Sequence, residues 1–242
     1  MNKLLIAILT AISISGFGQQ WSEYQVDSTL ALVLPDNYQV RDTLGQRVIT
    51  ARIDNGLILI SILPNSGQTA INVQNEKELI NSYKGLREGL INSQGGQLIR
   101  EEIIEIGGLK LIRFSFHATM GEEKQIRHCV AAFVNEKTYS INFWEVESMT
   151  NEMTADREKL FSSLRFPTGL QLKNQMSNSI EGSRSFNVGY LIGQILGYGL
   201  MLGLLIALVV WVSKKVRRKS TNAQSSRRPR QFSLTRCASH TT

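Results

Sequence analysis

The chain has few of the residues that build disulfide frameworks or metal clusters. Its 242 residues include two cysteines and three histidines. Cys129 and Cys237 lie on opposite sides of a long apolar run, so a disulfide between them is not expected. Cys129 itself falls in an apolar stretch, where a small buried residue is the simplest interpretation. Core packing must therefore hold the fold together.

Catalytic signatures are also missing. The chain has no G-x-S-x-G, no H-E-x-x-H, no C-x-x-C and no Gly-rich phosphate loop between a strand and a helix. His117 and His128 flank a turn at 121–123, and one hairpin register would place them close enough to share a metal. A slip of one residue would separate them, and solvated surface histidines are the simpler interpretation. We predict no enzyme activity, no cofactor and no metal site.

Acidic side chains are absent from the end of the chain. Residues 213–242 contain nine Lys and Arg and no Asp or Glu, whereas Trp21 to Asn187 has 17 basic residues against all 20 acids. The overall charge of +7 therefore comes from one short segment, and the larger part of the chain is mildly acidic. This distribution predicts no specific nucleic-acid partner.

A run of 25 residues without charge, Val188 to Val212, precedes this tail. As a helix it would be about 37 Å long, enough to cross a hydrocarbon core of about 30 Å. Basic residues after a span mark its cytoplasmic end and attract anionic lipid headgroups. Here that membrane-proximal cluster is Lys214, Lys215, Arg217, Arg218 and Lys219. The sequence thus predicts one transmembrane helix, a cytoplasmic tail at 213–242, and everything earlier on the outer side.

Glycines recur along the predicted span. Overlapping steps of small residues four apart let two helices approach closely and favour helix pairing. The residues in these steps are Gly189, Gly193, Gly197, Gly199 and Gly203. Our hypothesis is that this face forms a homodimer or docks onto a larger membrane-protein partner.

The first 18 residues have the pattern of a cleavable signal peptide. Lys3 precedes an apolar stretch at 4–14, and Gly16-Phe17-Gly18 gives a small-x-small cleavage pattern. No Asn between 21 and 187 begins an N-x-Ser/Thr sequon, which favours a bacterial envelope. The predicted organisation is a signal at 1–18, a periplasmic or extracellular domain at 21–166, and a flexible polar tether at 167–187.

The outer domain alternates strand and helix patterns. An Asn-Gly turn at 54–56 joins two strands, and the second, at 57–63, is almost continuously apolar and needs cover on both faces. Helical spacing is found at 76–92 and 151–164. The first strand of the Asn-Gly hairpin is at 47–53, and further strands are predicted at 30–34, 98–106, 109–119, 124–134 and 138–146. We therefore expect an α+β fold, an antiparallel sheet with helices on both faces in an α/β/α sandwich.

Two segments add a family resemblance. A strand ending in Leu34-Pro35-Asp36-Asn37-Tyr38, then a hairpin, a helix and a four-strand meander, leads to a last helix ending at Phe161-Ser162-Ser163-Leu164-Arg165-Phe166. This order resembles the PsbP-like/DcrB-like superfamily over Trp21 to Phe166. The resemblance implies a non-enzymatic extracytoplasmic or lumenal module linked to assembly or binding, and it transfers no catalytic residue.

The function expected from the sequence is a single-pass, membrane-anchored, non-enzymatic binding or assembly module. An accessory subunit of a membrane signalling or transport complex is the first alternative. A metal-dependent envelope enzyme is the second, and the missing motifs disfavour it.

Overall fold

The structure is a computed structural model that describes residues 19–43, 45–177 and 186–198. In these ranges a seven-stranded antiparallel sheet has the order β3-β4-β5-β9-β8-β7-β6, and β1 and β2 form a separate antiparallel pair. The strands are β1 Trp21–Gln25, β2 Ala31–Pro35, β3 Gln39–Thr43, β4 Gln46–Ile53, β5 Gly56–Pro64, β6 Gln97–Ile106, β7 Leu109–Met120, β8 Glu123–Val134 and β9 Lys137–Val146.

In the same described ranges, three helices accompany the strands: α1 Glu76–Ser93, α2 Thr154–Ser162 and α3 at residues 186–198. Short 3-10 turns lie at Gly67–Thr69, Glu147–Met149 and Leu172–Gln175. The expected α+β class with a large antiparallel sheet is confirmed. Within the described ranges, no helix combines the length and the apolar character needed to cross a membrane. The predicted signal at 1–18, the predicted tail at 213–242 and residues 199–212 of the predicted span lie outside those ranges.

Local signals in the sequence explain where the main elements begin and turn. Asn75 caps α1, because its side chain accepts a hydrogen bond from the Glu78 amide at 3.0 Å. The hairpin between β8 and β9 turns at Asn135 and Glu136, whose φ angles are +47° and +60°. Two successive positive φ angles match the twist of the flanking strands, so this turn fixes the register of the hairpin.

Helices α1 and α2 contact opposite faces of the sheet. In β8, Val130 and Ala132 belong to the same buried cluster as Leu160 of α2. The alternate residue Phe133 stacks instead on Tyr83 of α1, with ring centroids 4.8 Å apart. We call these the α2 face and the α1 face. Strand β5 lies inside the sheet, between β4 and β9, and its apolar run is buried on both sides, as expected.

Two strands have no clear signal in the sequence. β1 reads WSEYQ and is mostly exposed, and β3 reads QVRDT at the edge of the sheet. Neither shows a run of apolar residues, since each pairs on one side only. The last helix of the domain is also shorter than the predicted 151–164, because 151–153 form a turn and α2 runs only from Thr154 to Ser162.

The chain beyond Pro167 packs against the sheet as far as residue 177, although its polar composition predicts a flexible tether. Gln175 in the last 3-10 turn is buried. Its amide nitrogen donates to the carbonyls of Lys110 and Phe133 at 2.8 and 3.1 Å, and its oxygen accepts from the Lys110 amide at 2.8 Å. The Gln175 side chain thus holds this segment against the sheet, because it supplies hydrogen-bond partners to backbone groups at the start of β7 and the end of β8.

Candidate functional site, a glycine seam between two helices

Helix α3 lies alongside α1 and runs in the same direction. The start of the contact brings Gly189 against the backbone of Ser82, and its end brings Gly197 against Ser93. Between these points the glycines of both helices alternate. We define the glycine seam as Gly85 and Gly89 of α1 with Gly189, Gly193 and Gly197 of α3.

The seam leaves no room for side chains. A Cβ placed on Gly85 would overlap the Phe186 carbonyl oxygen and lie 2.8 Å from the Tyr190 nitrogen. A Cβ on Gly193 would overlap the Leu86 carbonyl oxygen and lie 3.0 Å from the Cα of Gly89. Because the obstructing atoms belong to the backbone, a side chain at either position would force the helices apart.

Buried side chains flank the glycines. Val188, Ile192 and Leu196 of α3 recur every four residues and are at most 5 % exposed. Ser82 of α1 is fully buried, and its hydroxyl has no hydrogen-bond partner among the described residues. The contact therefore depends on shape and close packing rather than on polar recognition.

The structure brings together three of the five glycines singled out in the sequence, namely Gly189, Gly193 and Gly197. Gly199, Gly203 and the basic cluster at 214–219 lie outside the described residues. Sequence reasoning missed the other half of the seam, Gly85 and Gly89. The available signal was a second pair of glycines four residues apart inside a helical pattern, which costs helix propensity and calls for a packing reason.

A buried arginine lies near the C-terminal end of α1. Arg127 is 1 % exposed, and its guanidinium carbon lies 3.8 Å above the centre of the Trp144 ring. Gln94 and Gln125 accept its hydrogen bonds through their side-chain oxygens. Burial lowers the pKa of Arg127 to about 10, so the group stays charged at neutral pH. Within the described part of the chain, no carboxylate forms an ion pair with it.

The two candidate histidines are not directly opposite each other. The register of β7 and β8 pairs His117 with Ile126 and His128 with Ser115. His128 Nε2 lies 3.1 Å from the Glu145 carboxylate, whereas His117 Nδ1 lies 3.5 Å from Glu147. Residues 19–43, 45–177 and 186–198 contain no group of three or more His, Cys, Asp or Glu side chains arranged to hold a metal.

Glu145 forms the most deeply buried ion pair among those described. Its side chain is inaccessible to solvent, and Arg157 of α2 donates from one nitrogen to both carboxylate oxygens at 2.8 Å. Arg157 also donates to the Thr154 hydroxyl at 3.1 Å. The cluster of Glu145, His128 and Arg157 attaches α2 to the end of β9, which is a structural use of these charges.

Cys129 is buried on the α1 face, 3.6 Å from the Ser140 hydroxyl. Burial raises the pKa of its thiol to about 12, which opposes formation of the reactive thiolate. The side chain therefore acts as a small packing residue, as its position in an apolar stretch predicts.

The chain is similar in structure to several solved proteins. Cyanobacterial PsbP from Synechocystis shares 14 % identity over 63 % of this chain and 96 % of its own, with a TM-score of 0.44. The Ran-binding protein Mog1p of Saccharomyces cerevisiae shares 8 % identity over 62 % of this chain and 97 % of its own, with a TM-score of 0.41. LpqN of Mycobacterium tuberculosis is a protein involved in cell envelope biogenesis. It shares 13 % identity over 61 % of this chain and 91 % of its own, with a TM-score of 0.38.

Other comparisons gave no match. No protein-family model matches the chain, and no curated protein matches it. A PsbP is among the solved structures to which the chain is similar. At these identities and TM-scores the likeness concerns the fold alone.

Proposed function

We propose that this chain is a membrane-anchored binding or assembly module that works on the outer side of a bacterial envelope without catalysing a reaction. The observation that carries the binding role is the glycine seam, in which α1 receives a helix through its backbone. Such a surface recognises shape, and it presents no reactive group to a substrate.

The chemistry of the buried ionisable groups supports a non-enzymatic role. Arg157 and His128 both face Glu145, so that carboxylate serves to hold α2 on the sheet. The raised pKa of the Cys129 thiol is the opposite of what a nucleophile needs. These groups stabilise the fold rather than form an active site.

The proposed anchor is the uncharged run at 188–212, followed by the basic cluster at 214–219. This order favours a tail on the cytoplasmic side, where basic residues also contact anionic lipids. The complete architecture that we propose is a signal, an α/β/α sandwich outside, one transmembrane helix and a basic tail inside.

The two natural cysteines allow a direct test of this topology. Cys129 is buried, so a membrane-impermeant maleimide should report on Cys237 in the tail. We expect Cys237 to be protected in intact cells and labelled after permeabilisation. The matched control is Glu122→Cys in a Cys237→Ser background, because Glu122 is exposed at the β7–β8 turn and should be labelled in intact cells. Labelling of Cys237 without permeabilisation would contradict the anchor.

The partner class needs a separate experiment, since an accessory subunit of a signalling or transport complex would also be anchored in this way. Gently solubilised membranes should be compared for the natural chain and one whose residues 188–212 are replaced by an unrelated span. Partners retained after the replacement bind the outer domain, which is our proposal. If all partners were lost with the natural span, the accessory-subunit alternative would be favoured.

A further inference from the structure

The docked helix α3 and the proposed membrane span share residues 188–198. Resting on the proposed membrane anchor, we infer that docking on α1 and crossing the membrane exclude each other, so that α3 exchanges between two places. In one place the glycine seam is closed. In the other, the full run at 188–212 crosses the bilayer and the seam is open.

The exclusion follows first from what holds α1. Leu79 and Tyr83 are fully buried, and the Tyr83 hydroxyl donates to the Lys110 carbonyl at 2.7 Å. Helix α1 is therefore a fixed part of the sheet domain. It also carries the exposed Lys84 and the partly exposed Glu88, and charged side chains are costly inside hydrocarbon. A helix docked on α1 thus stays outside the membrane.

The length of the remaining run gives the second argument. When 188–198 are docked, only residues 199–212 are left before the charged tail. Fourteen helical residues extend about 21 Å, which is short of a hydrocarbon core of about 30 Å. Complete crossing therefore needs the residues that the seam holds.

The seam glycines set how strongly the docked position competes with insertion. Val188, Ile192 and Leu196 are shielded from water in the docked state and would be shielded by lipid in the inserted state, so their hydrophobic contribution is similar in both. Residues 199–212 favour insertion to the same extent whatever residues stand at 85 and 89, so a substitution at Gly85 or Gly89 shifts the balance through the close packing of the docked state. Anchoring would then uncover the face of α1 that includes Ser82.

Ser82→Cys is a suitable reporter of the open seam. The Ser82 side chain is fully buried and its hydroxyl makes no hydrogen bond to any described residue, so the nearly isosteric thiol removes no polar contact seen there. The experiment uses the full chain in intact cells and keeps Cys237 as the reporter of crossing. Asn81→Cys, exposed on the neighbouring position of α1, controls for access of the reagent.

We expect molecules whose Cys237 has crossed to react at Ser82→Cys at least about tenfold faster than uncrossed molecules, because only their seam is open. Asn81→Cys should react equally in both populations. Gly89→Leu should raise the crossed fraction and the labelling at Ser82→Cys together, since its side chain would meet the Tyr190 carbonyl. Lys84→Leu, which adds the same side chain on the exposed side of α1, should change neither.

Two results would overturn the inference, and they are distinguishable. Protection of Ser82→Cys in molecules whose Cys237 has crossed would show that docking and crossing coexist, and it would leave the anchor intact. Labelling of Cys237 from outside in every molecule would instead remove the anchor and the exchange together.

Discussion

The two faces of the sheet are built from different chemistry. The α2 face is lined by Ile58, Ile60 and Ile141, all inaccessible to solvent, and its charges gather at its ends. The α1 face buries Ser140 and Asn142 among its apolar residues, as well as Arg127. One helix therefore rests on an apolar layer, and the other on a layer with polar groups inside.

The difference follows from what each helix has to do. Helix α2 packs on the sheet and on the β1–β2 pair mainly through non-directional apolar contacts, and its charged contact with Glu145 lies at one end. Helix α1 lies between the sheet and α3, and its glycines must face α3. Directional contacts such as those of the Tyr83 hydroxyl, which donates to Lys110 and accepts from the Phe133 amide, fix its rotation. We interpret the polar groups of the α1 face as the source of this orientation.

The substitution expected to lower the free energy of unfolding most is at Glu145, where the α2 face ends in a buried ion pair. Glu145→Gln leaves the largely buried Arg157 without its counter-charge. Removing one partner of a buried pair costs about 3 kcal/mol or more, so the free energy of unfolding should fall by that amount. Urea unfolding of the full chain in mild detergent measures it.

The matched control for this variant is Glu102→Gln. Glu102 pairs with Arg113 at 3.4 Å on the exposed edge strand, and a pair of this kind contributes less than about 1 kcal/mol. Equal losses for the two variants would show that the cluster at Glu145 does not hold α2.

A smaller loss in the free energy of unfolding is expected at Gln175, where the α1 face ends in a network of hydrogen bonds between neutral groups. Gln175→Ala removes the partners of the Lys110 amide and the Phe133 carbonyl. Leaving buried backbone groups unsatisfied costs about 2 kcal/mol, and the segment after Pro167 should become open to proteolysis. Limited proteolysis and urea unfolding test both consequences. Gln97→Ala on exposed β6 should change neither, and an unchanged Gln175→Ala protein would contradict the fastening role.

The sequence predicts the larger elements and fails where tertiary contacts decide. The spacing of apolar residues and the turn residues predict the β5 run, the Asn-Gly hairpin and the four-strand meander. The structure contains all three. Edge strands β1 and β3 bury too little to show a pattern. The partner of α3 was also not predictable, because the spacing of Gly85 and Gly89 shows that a helix can approach and does not show which one.

The smallest change in the free energy of unfolding is expected at Asp27, which lies at the opposite end of the α2 face from Glu145. Its carboxylate accepts hydrogen bonds from Lys137 Nζ, the Tyr139 hydroxyl and the Thr29 amide, each at 2.8 Å. Burial acts to raise the pKa of Asp27, but these hydrogen bonds outweigh it, so its pKa in the folded protein is lower than usual. The stabilisation is complete above the unfolded-state pKa of about 3.9 and is lost as the pH falls through the folded-state value.

Asp27→Asn should therefore reduce the free energy of unfolding at neutral pH and converge with the natural chain as the pH falls below about 4. The group is partly exposed, so solvent screening limits the difference at pH 7 to about 1 kcal/mol or less. Urea unfolding of both chains between about pH 7 and pH 3 measures it, with the exposed Asp54→Asn as the control. If the gap between Asp27→Asn and the natural chain widened on acidification, the carboxylate would be destabilising in its charged form. The α2 face would then owe its stability to apolar packing and to the cluster at Glu145, without a contribution from its second charged end.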